Sequence, residues 1–232
     1  MSALNRFNSF RQLSRAHPFI HLIELGGAVL LLLSGITGHL PFSSTPYVLI
    51  YGWIWLRLRG SGWGGVGLSG PENWKKVFGL SFLIGIGYQV LSIYVVEPLL
   101  GKMTGNLPDV SVFKPLVGNI QYFLLSLLAS WILAAFGEEL LYRGYLIDVF
   151  ALVTGKRTIS WISAAILSSI FFGLAHLYQD FSGVLTAGIH GLVFAGLYFY
   201  TGRNLWAPIL AHGIHDSFGF MMIYLGIYPG LN

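Results

Sequence analysis

The sequence predicts an all-α protein, a polytopic bundle of transmembrane helices, and three observations carry that prediction. Hydrophobic residues fill 55% of the 232 positions and charged residues only 9%, whereas soluble domains are about 25% charged. Asp, Glu, Lys and Arg are missing from long stretches, 25–56, 77–96, 115–137, 158–179, 181–202 and 204–215, the last resuming past Asp216. Most are near the about 20 residues that a spanning helix needs. Finally, the positive residues segregate. With a cytoplasmic N-terminus, Arg6, Arg11, Arg15, Arg57, Arg59, Lys75, Lys76, Arg143, Lys156, Arg157 and Arg203 fall inside, 11 of 13, and only Lys102 and Lys114 fall outside, as the positive-inside rule requires.

Taken in order, the first stretch is long enough for two helices, with HLPFSSTP (39–46) as the turn between them, since proline and serine suit a turn. Helices are expected near 20–38, 46–58, 77–97, 117–137, 158–177, 183–201 and 205–225, with a short eighth at 144–153, about seven to eight spans. Arg6, Arg11 and Arg15 precede an apolar run too long for a signal-peptide core, so the first helix is expected to stay uncleaved. No long polar segment exists to build a second domain, and residues 1–232 read as one integral membrane domain.

Composition also excludes functions. Cysteine is absent, which rules out a disulfide, a thiolate nucleophile and a cysteine metal site. The net charge of +4 sits in short loops between apolar spans, so the partner it implies is the lipid bilayer and not nucleic acid. The glycine-rich loop 60–76 lacks the GxxxxGK[ST] order of a phosphate loop, and its tryptophans fit a membrane interface. No internal repeat is visible, which counts against an inverted-repeat, proton-coupled transporter.

Four polar positions interrupt the apolar spans. In FGEELLYRGYL (136–146), Glu139 and Arg143 are four apart on one helix face with glutamate first, the favourable order for a pair. Glu138 points about 100° away. It either caps the helix end or, without a local partner, acts as general base or acid. Phe172 and His176 share a face, so the ring can wall the imidazole. His212 and Asp216 again lie four apart, with His215 on another azimuth; the pair reads as metal ligands or as groups that stabilise an oxyanion. His190 stands alone in GIHGLVFAG and reads as a packing residue, where Ala187, Gly191 and Ala195 permit close helix contact. Together, ionisable groups from three helices inside a membrane read as a functional site. A glutamate base, a histidine to orient water and groups facing a developing oxyanion match hydrolysis at a carbonyl.

The motifs EELLYR (138–143), FGLAH (172–176) and HGIHD (212–216), with the approach GRNLWAPILAHGIHD (202–216), resemble the CPBP family in order and spacing. These are the CAAX prenyl proteases and bacteriocin-processing (Abi) membrane proteins, whose pattern is EExxxR, FxxxH, then HxxxN or HxxxD. The resemblance covers roughly 115–220, the expected catalytic core. It implies an intramembrane endopeptidase in which Glu138 and His176 activate water, His212 and Asp216 form the oxyanion site, and Glu139, Arg143 and Phe172 support it. A catalytically silent immunity or scaffold protein of the same fold is the alternative.

Asp216 stands where the resemblance more often has asparagine. An ionised aspartate repels an oxyanion, so Asp216 is expected to be protonated, to hold His212, or to bind a divalent metal such as zinc. In the last case Glu138, His176, His212 and Asp216 are the ligand set; the lack of cysteine and of an HExxH pair favours a metal-free site with no cofactor. The expected substrate is a peptide pheromone, a bacteriocin leader or a membrane-protein tail rather than a prenylated protein, in a multi-pass protein of a bacterial cell (inner) membrane. Straight helices pose a geometric problem: they leave Glu138 at the cytoplasmic end of the fourth span and His176 about 30 Å away. A fourth helix that continues through RGYLIDVFAL (143–152) resolves it.

Overall fold

The structure, a computed structural model, describes residues 19–231. The expected cytoplasmic N-terminus with Arg6, Arg11 and Arg15 lies outside them. Seven helices carry the described fold: α1 Phe19–Ile36, α2 Thr45–Leu58, α3 Trp74–Thr104, α4 Ile120–Val153, α5 Thr158–Leu174, α6 Asp180–Tyr200 and α7 Trp206–Tyr224. No strand occurs among the described residues. Four helical stretches, Phe19–Ile36, Trp74–Thr104, Ile120–Val153 and Leu177–Tyr200, are long and apolar enough to cross a bilayer, and α5 is a shorter apolar helix. This is an integral membrane protein, an all-α bundle.

Local chemistry sets most of the boundaries. The Asn73 side chain accepts from the Lys76 N–H at the start of α3, and Asn119 from Gln121 and Tyr122 at the start of α4, so asparagine supplies the missing N-terminal acceptors. At α5, Ser160 Oγ accepts from the Arg157 N–H and donates to the Thr154 carbonyl. Asn204 Oδ1 accepts from Trp206 N–H ahead of α7.

Three expected boundaries are corrected. α3 runs on to Thr104, through a widened turn at Ser92–Val96. α4 runs past 137 to Val153, as a fourth helix continuing through RGYLIDVFAL requires, so 144–153 is not a separate helix. The reason is a widened segment, Ser130–Leu146, whose hydrogen bonds reach back five residues, as from Ile147 N–H to the Tyr142 carbonyl. No proline interrupts it, and of its charged residues Glu139 and Arg143 pair with each other and reach His212 and the Gly191 carbonyl on neighbouring helices. α5 ends at Leu174, so His176 lies in the turn beyond it.

Packing builds the frame for the site. α7 lies along α3 and α4, and α5 pairs with α6. Glycine permits the α5–α6 approach: a Cβ on Gly191 would sit 2.9 Å from Ser169 Cβ, and one on Gly173 2.5 Å from the Val184 carbonyl oxygen. The largest core cluster centres on the second half of α4, where Leu140–Leu146 are all buried. Arg143 is among these buried residues, 1% exposed. It is therefore a core residue and not a cytoplasmic loop cation, which corrects its use in the orientation count.

The two ends of the bundle differ. Arg57, Arg59, Lys75, Lys76, Lys156, Arg157 and Arg203 gather at one end. There Arg59 pairs with Asp148, the Arg203 guanidinium covers Trp161, and Asn204 binds the Ser69 carbonyl. At the other end, Asp109 N–H donates to Gln179 and Gly118 N–H to Tyr224. The Ser111 hydroxyl and N–H beside Asp109 hold its carboxyl below the usual carboxylate range.

Candidate active site

α4 carries the centre. Glu139 is fully buried, and its Oε1 accepts from Arg143 Nη1 at 2.8 Å and from His212 Nδ1 at 2.8 Å. One carboxylate oxygen thereby ties α4 to α7. The Arg143 guanidinium lies 4.5 Å from the centre of the Phe172 ring and donates to the Gly191 carbonyl at 3.4 Å, which adds α5 and α6 to the same node. A desolvated guanidinium over an aromatic face is worth about 2 kcal/mol.

Glu138, one residue earlier, makes no hydrogen bond or ion pair among the described residues. It lines a cavity of about 390 Å³ together with Phe172, His176, His190, His212, His215 and Asp216. The continued α4 thus brings Glu138 to the depth of His176 and removes the 30 Å separation that straight helices would impose.

His176 is held by its own turn. Its Nδ1 is 2.8 Å from the Phe172 carbonyl oxygen, and its ring lies 4.8 Å from the Phe172 ring. A carbonyl only accepts, so Nδ1 carries a proton, and in the neutral ring Nε2 is an acceptor. Both nitrogens of His212 face carboxylates, Glu139 at 2.8 Å and Asp216 Oδ2 at 3.5 Å. Asp216 is fixed in turn by Ser130, whose hydroxyl donates to Oδ2 at 2.6 Å, and by His215 Nδ1, 3.2 Å from Oδ1.

The residues expected from the sequence therefore divide into two groups. Glu138, Phe172, His176, His212 and Asp216 share the cavity wall, while Glu139 and Arg143 stand behind it. Sequence reading missed Ser130, a serine in an apolar run with no motif around it. His190, read as a packing residue, is packed, 7% exposed, and its neighbours are the site's own rings, 4.9 Å from His212 and 4.4 Å from His215. No spacing rule links it to them, because it comes from a different helix.

A divalent metal asks for three or more ligands converging on one point. Among the described residues no group of three His, Asp or Glu side chains does so. The Nδ1 atoms of His176 and His212 are bonded to a carbonyl and to Glu139, which leaves their Nε2 atoms as the ones that could face a metal.

Residues 120–218 match the sequence family described as type II CAAX prenyl endopeptidase Rce1-like. The membrane-embedded CAAX protease MroQ of Staphylococcus aureus (strain USA300) is 31% identical over 93 residues, 40% of this chain and 36% of that protein. The match thus spans little more than a third of the relative's length. No solved structure matches the chain significantly. The resemblance carried by EELLYR, FGLAH and HGIHD is borne out over this segment.

Proposed function

We propose that this protein is an intramembrane endopeptidase of the bacterial cell membrane, hydrolysing a peptide bond of a membrane-associated peptide or protein with no resident metal. One observation carries the reading: Glu138, the carboxylate without a partner, shares a cavity with a histidine whose Nε2 is left as an acceptor. Glu138 takes a proton from a water that His176 Nε2 orients, and the water oxygen attacks the carbonyl carbon. With Glu139 accepting from Nδ1, a His212 protonated at both nitrogens donates from Nε2 to the oxyanion. In the resting site Asp216, 3.5 Å from Nε2, holds that ring, and the oxyanion takes its place as the acceptor. Collapse of the intermediate expels the amine, which takes back the proton from Glu138.

The test compares new protein termini in the host between wild type and Glu138→Gln at matched membrane levels. Loss of the general base lowers cleavage about 10²–10⁴-fold. Cleavages that vanish in the variant support the reading and name the substrate. Identical termini would turn the assignment to a silent immunity or scaffold protein. Cleavage by purified enzyme that a chelator abolishes and zinc restores would overturn the metal-free mechanism.

A further inference from the structure

The cavity has a second polar wall, made of Gln89, Ser92, Glu97 and Tyr228, which the hydrolytic chemistry does not use. From it we infer that Glu97 and Gln89 form a subsite for a cationic side chain, Lys or Arg, of the segment being cleaved. The inference rests on the protease reading and specifies its substrate.

Glu97 is 4% exposed. Its Oε1 accepts from the Ser92 hydroxyl at 3.0 Å and from the Tyr228 hydroxyl at 3.0 Å, and its Oε2 lies 3.2 Å from the same Tyr228 oxygen. No Lys, Arg or His pairs with it among the described residues. Other carboxylates in the bundle do face such groups: Glu24 faces Arg59, Glu139 faces Arg143, Asp148 faces Arg59 and Lys156, and Asp216 faces His212. A carboxylate inside a membrane is costly without a cation; of the two that lack one, Glu138 has its place in the hydrolysis and Glu97 needs an occupant.

Gln89 gives the second, independent observation. It is 4% exposed, lines the same wall, and its Oε1 has no hydrogen-bond partner. A carboxylate bonded only to hydroxyls and an amide oxygen with no donor complement an ammonium or guanidinium, which carries several donors and no acceptor. The backbone is also adapted here. Glu97 follows the widened turn Ser92–Val96, with its N–H bonded five residues back to Ser92, and such turns concentrate at functional sites. Because Glu97 and Glu138 line one cavity of about 390 Å³, the cation belongs to the chain whose bond is cut.

The experiment compares new termini in strains with wild type, Glu138→Gln, Glu97→Gln and Tyr228→Phe at matched membrane levels. Glutamine keeps the hydrogen-bonding capacity of Glu97 and removes its charge, whereas Tyr228→Phe removes the hydroxyl tie and keeps the charge. The bonds lost in Glu138→Gln are expected to have Lys or Arg within about five residues, an extended reach of about 17 Å. Glu97→Gln is expected to lower their cleavage at least about tenfold, and Tyr228→Phe less than about twofold. Full cleavage in Glu97→Gln, with loss in Glu138→Gln, would remove the subsite and leave the protease. Equal losses in Glu97→Gln and Tyr228→Phe would make Glu97 a structural tie, and bonds without a nearby basic residue would also overturn the subsite. No difference between wild type and Glu138→Gln would overturn both readings.

Discussion

Two buried ionic networks in this protein are built from the same residue types and differ in what they leave over. At the cation-rich end, Glu24 faces His21 at 3.3 Å and Arg59 at 3.4 Å, Arg59 binds Asp148 at 2.8 Å, and Lys156 reaches Asp148 at 3.2 Å. Its carboxylates each face a cation, it clamps α1 and α2 to α4, and none of its members lines the cavity. In the middle of α4, Glu139, Arg143 and His212 make an equally tight set, but the neighbouring Glu138 is left without a bond beside open space. Burial of charge is therefore common to structure and chemistry here. The mark of the active site is a carboxylate without a partner that faces a cavity.

The largest effect expected from this contrast is that of Arg143→Ala. It removes the guanidinium from a fully buried pair and leaves Glu139 to His212 alone, which costs about 3–5 kcal/mol, read as a lower unfolding temperature in detergent together with loss of cleavage. Arg59→Ala comes next, at about 1–3 kcal/mol, because His21 still faces Glu24 and Lys156 still faces Asp148. The folded fraction should keep its turnover number. A fall in kcat as large as that of Arg143→Ala would erase the distinction between the networks.

The same contrast has a sidedness. Ser43, Ala129, Leu133 and Tyr178 line the cavity and are exposed, so the mouth lies beside the 37–44 turn and away from Arg57, Arg59, Lys156 and Arg203. The positive-inside rule then points the mouth to the non-cytoplasmic face. The cysteine-free chain is a ready background for the test. A membrane-impermeant thiol reagent applied to intact cells should label Ser43→Cys and reach Ser69→Cys only after permeabilisation; the reverse pattern would invert the orientation. The smallest effect belongs to Asp216→Asn. Asparagine still accepts from Ser130, so stability should change by less than about 1 kcal/mol and kcat by less than about tenfold. A loss as large as that of Glu138→Gln would give the Asp216 charge a direct part in the chemistry.

Much of the site was legible because it depends on spacing along single helices. Four-residue spacing put Arg143 beside Glu139 and the Phe172 ring beside His176, whatever the bundle did. Ser130 and His190 were not legible, since each reaches the site through a contact between helices. The role of Phe172 was only half visible. Its wall against His176 is local, but its cover over Arg143 joins α5 to α4.

By itself the sequence determined that the chain is a membrane helix bundle, where its charges gather, and which residues pair within one helix, because composition and a 3.6-residue period act locally. Sequence reasoning could ask for a continued fourth helix, but only the tertiary structure put Glu138 on one cavity wall with His176. Whether α4 stops at the glutamates or carries them inward depends on partners for buried charges, and those partners, His212 and the ring of Phe172, come from α7 and α5. It also decided that Glu97 shares a cavity with Glu138, because helices far apart in sequence meet only when the apolar faces of the bundle are packed.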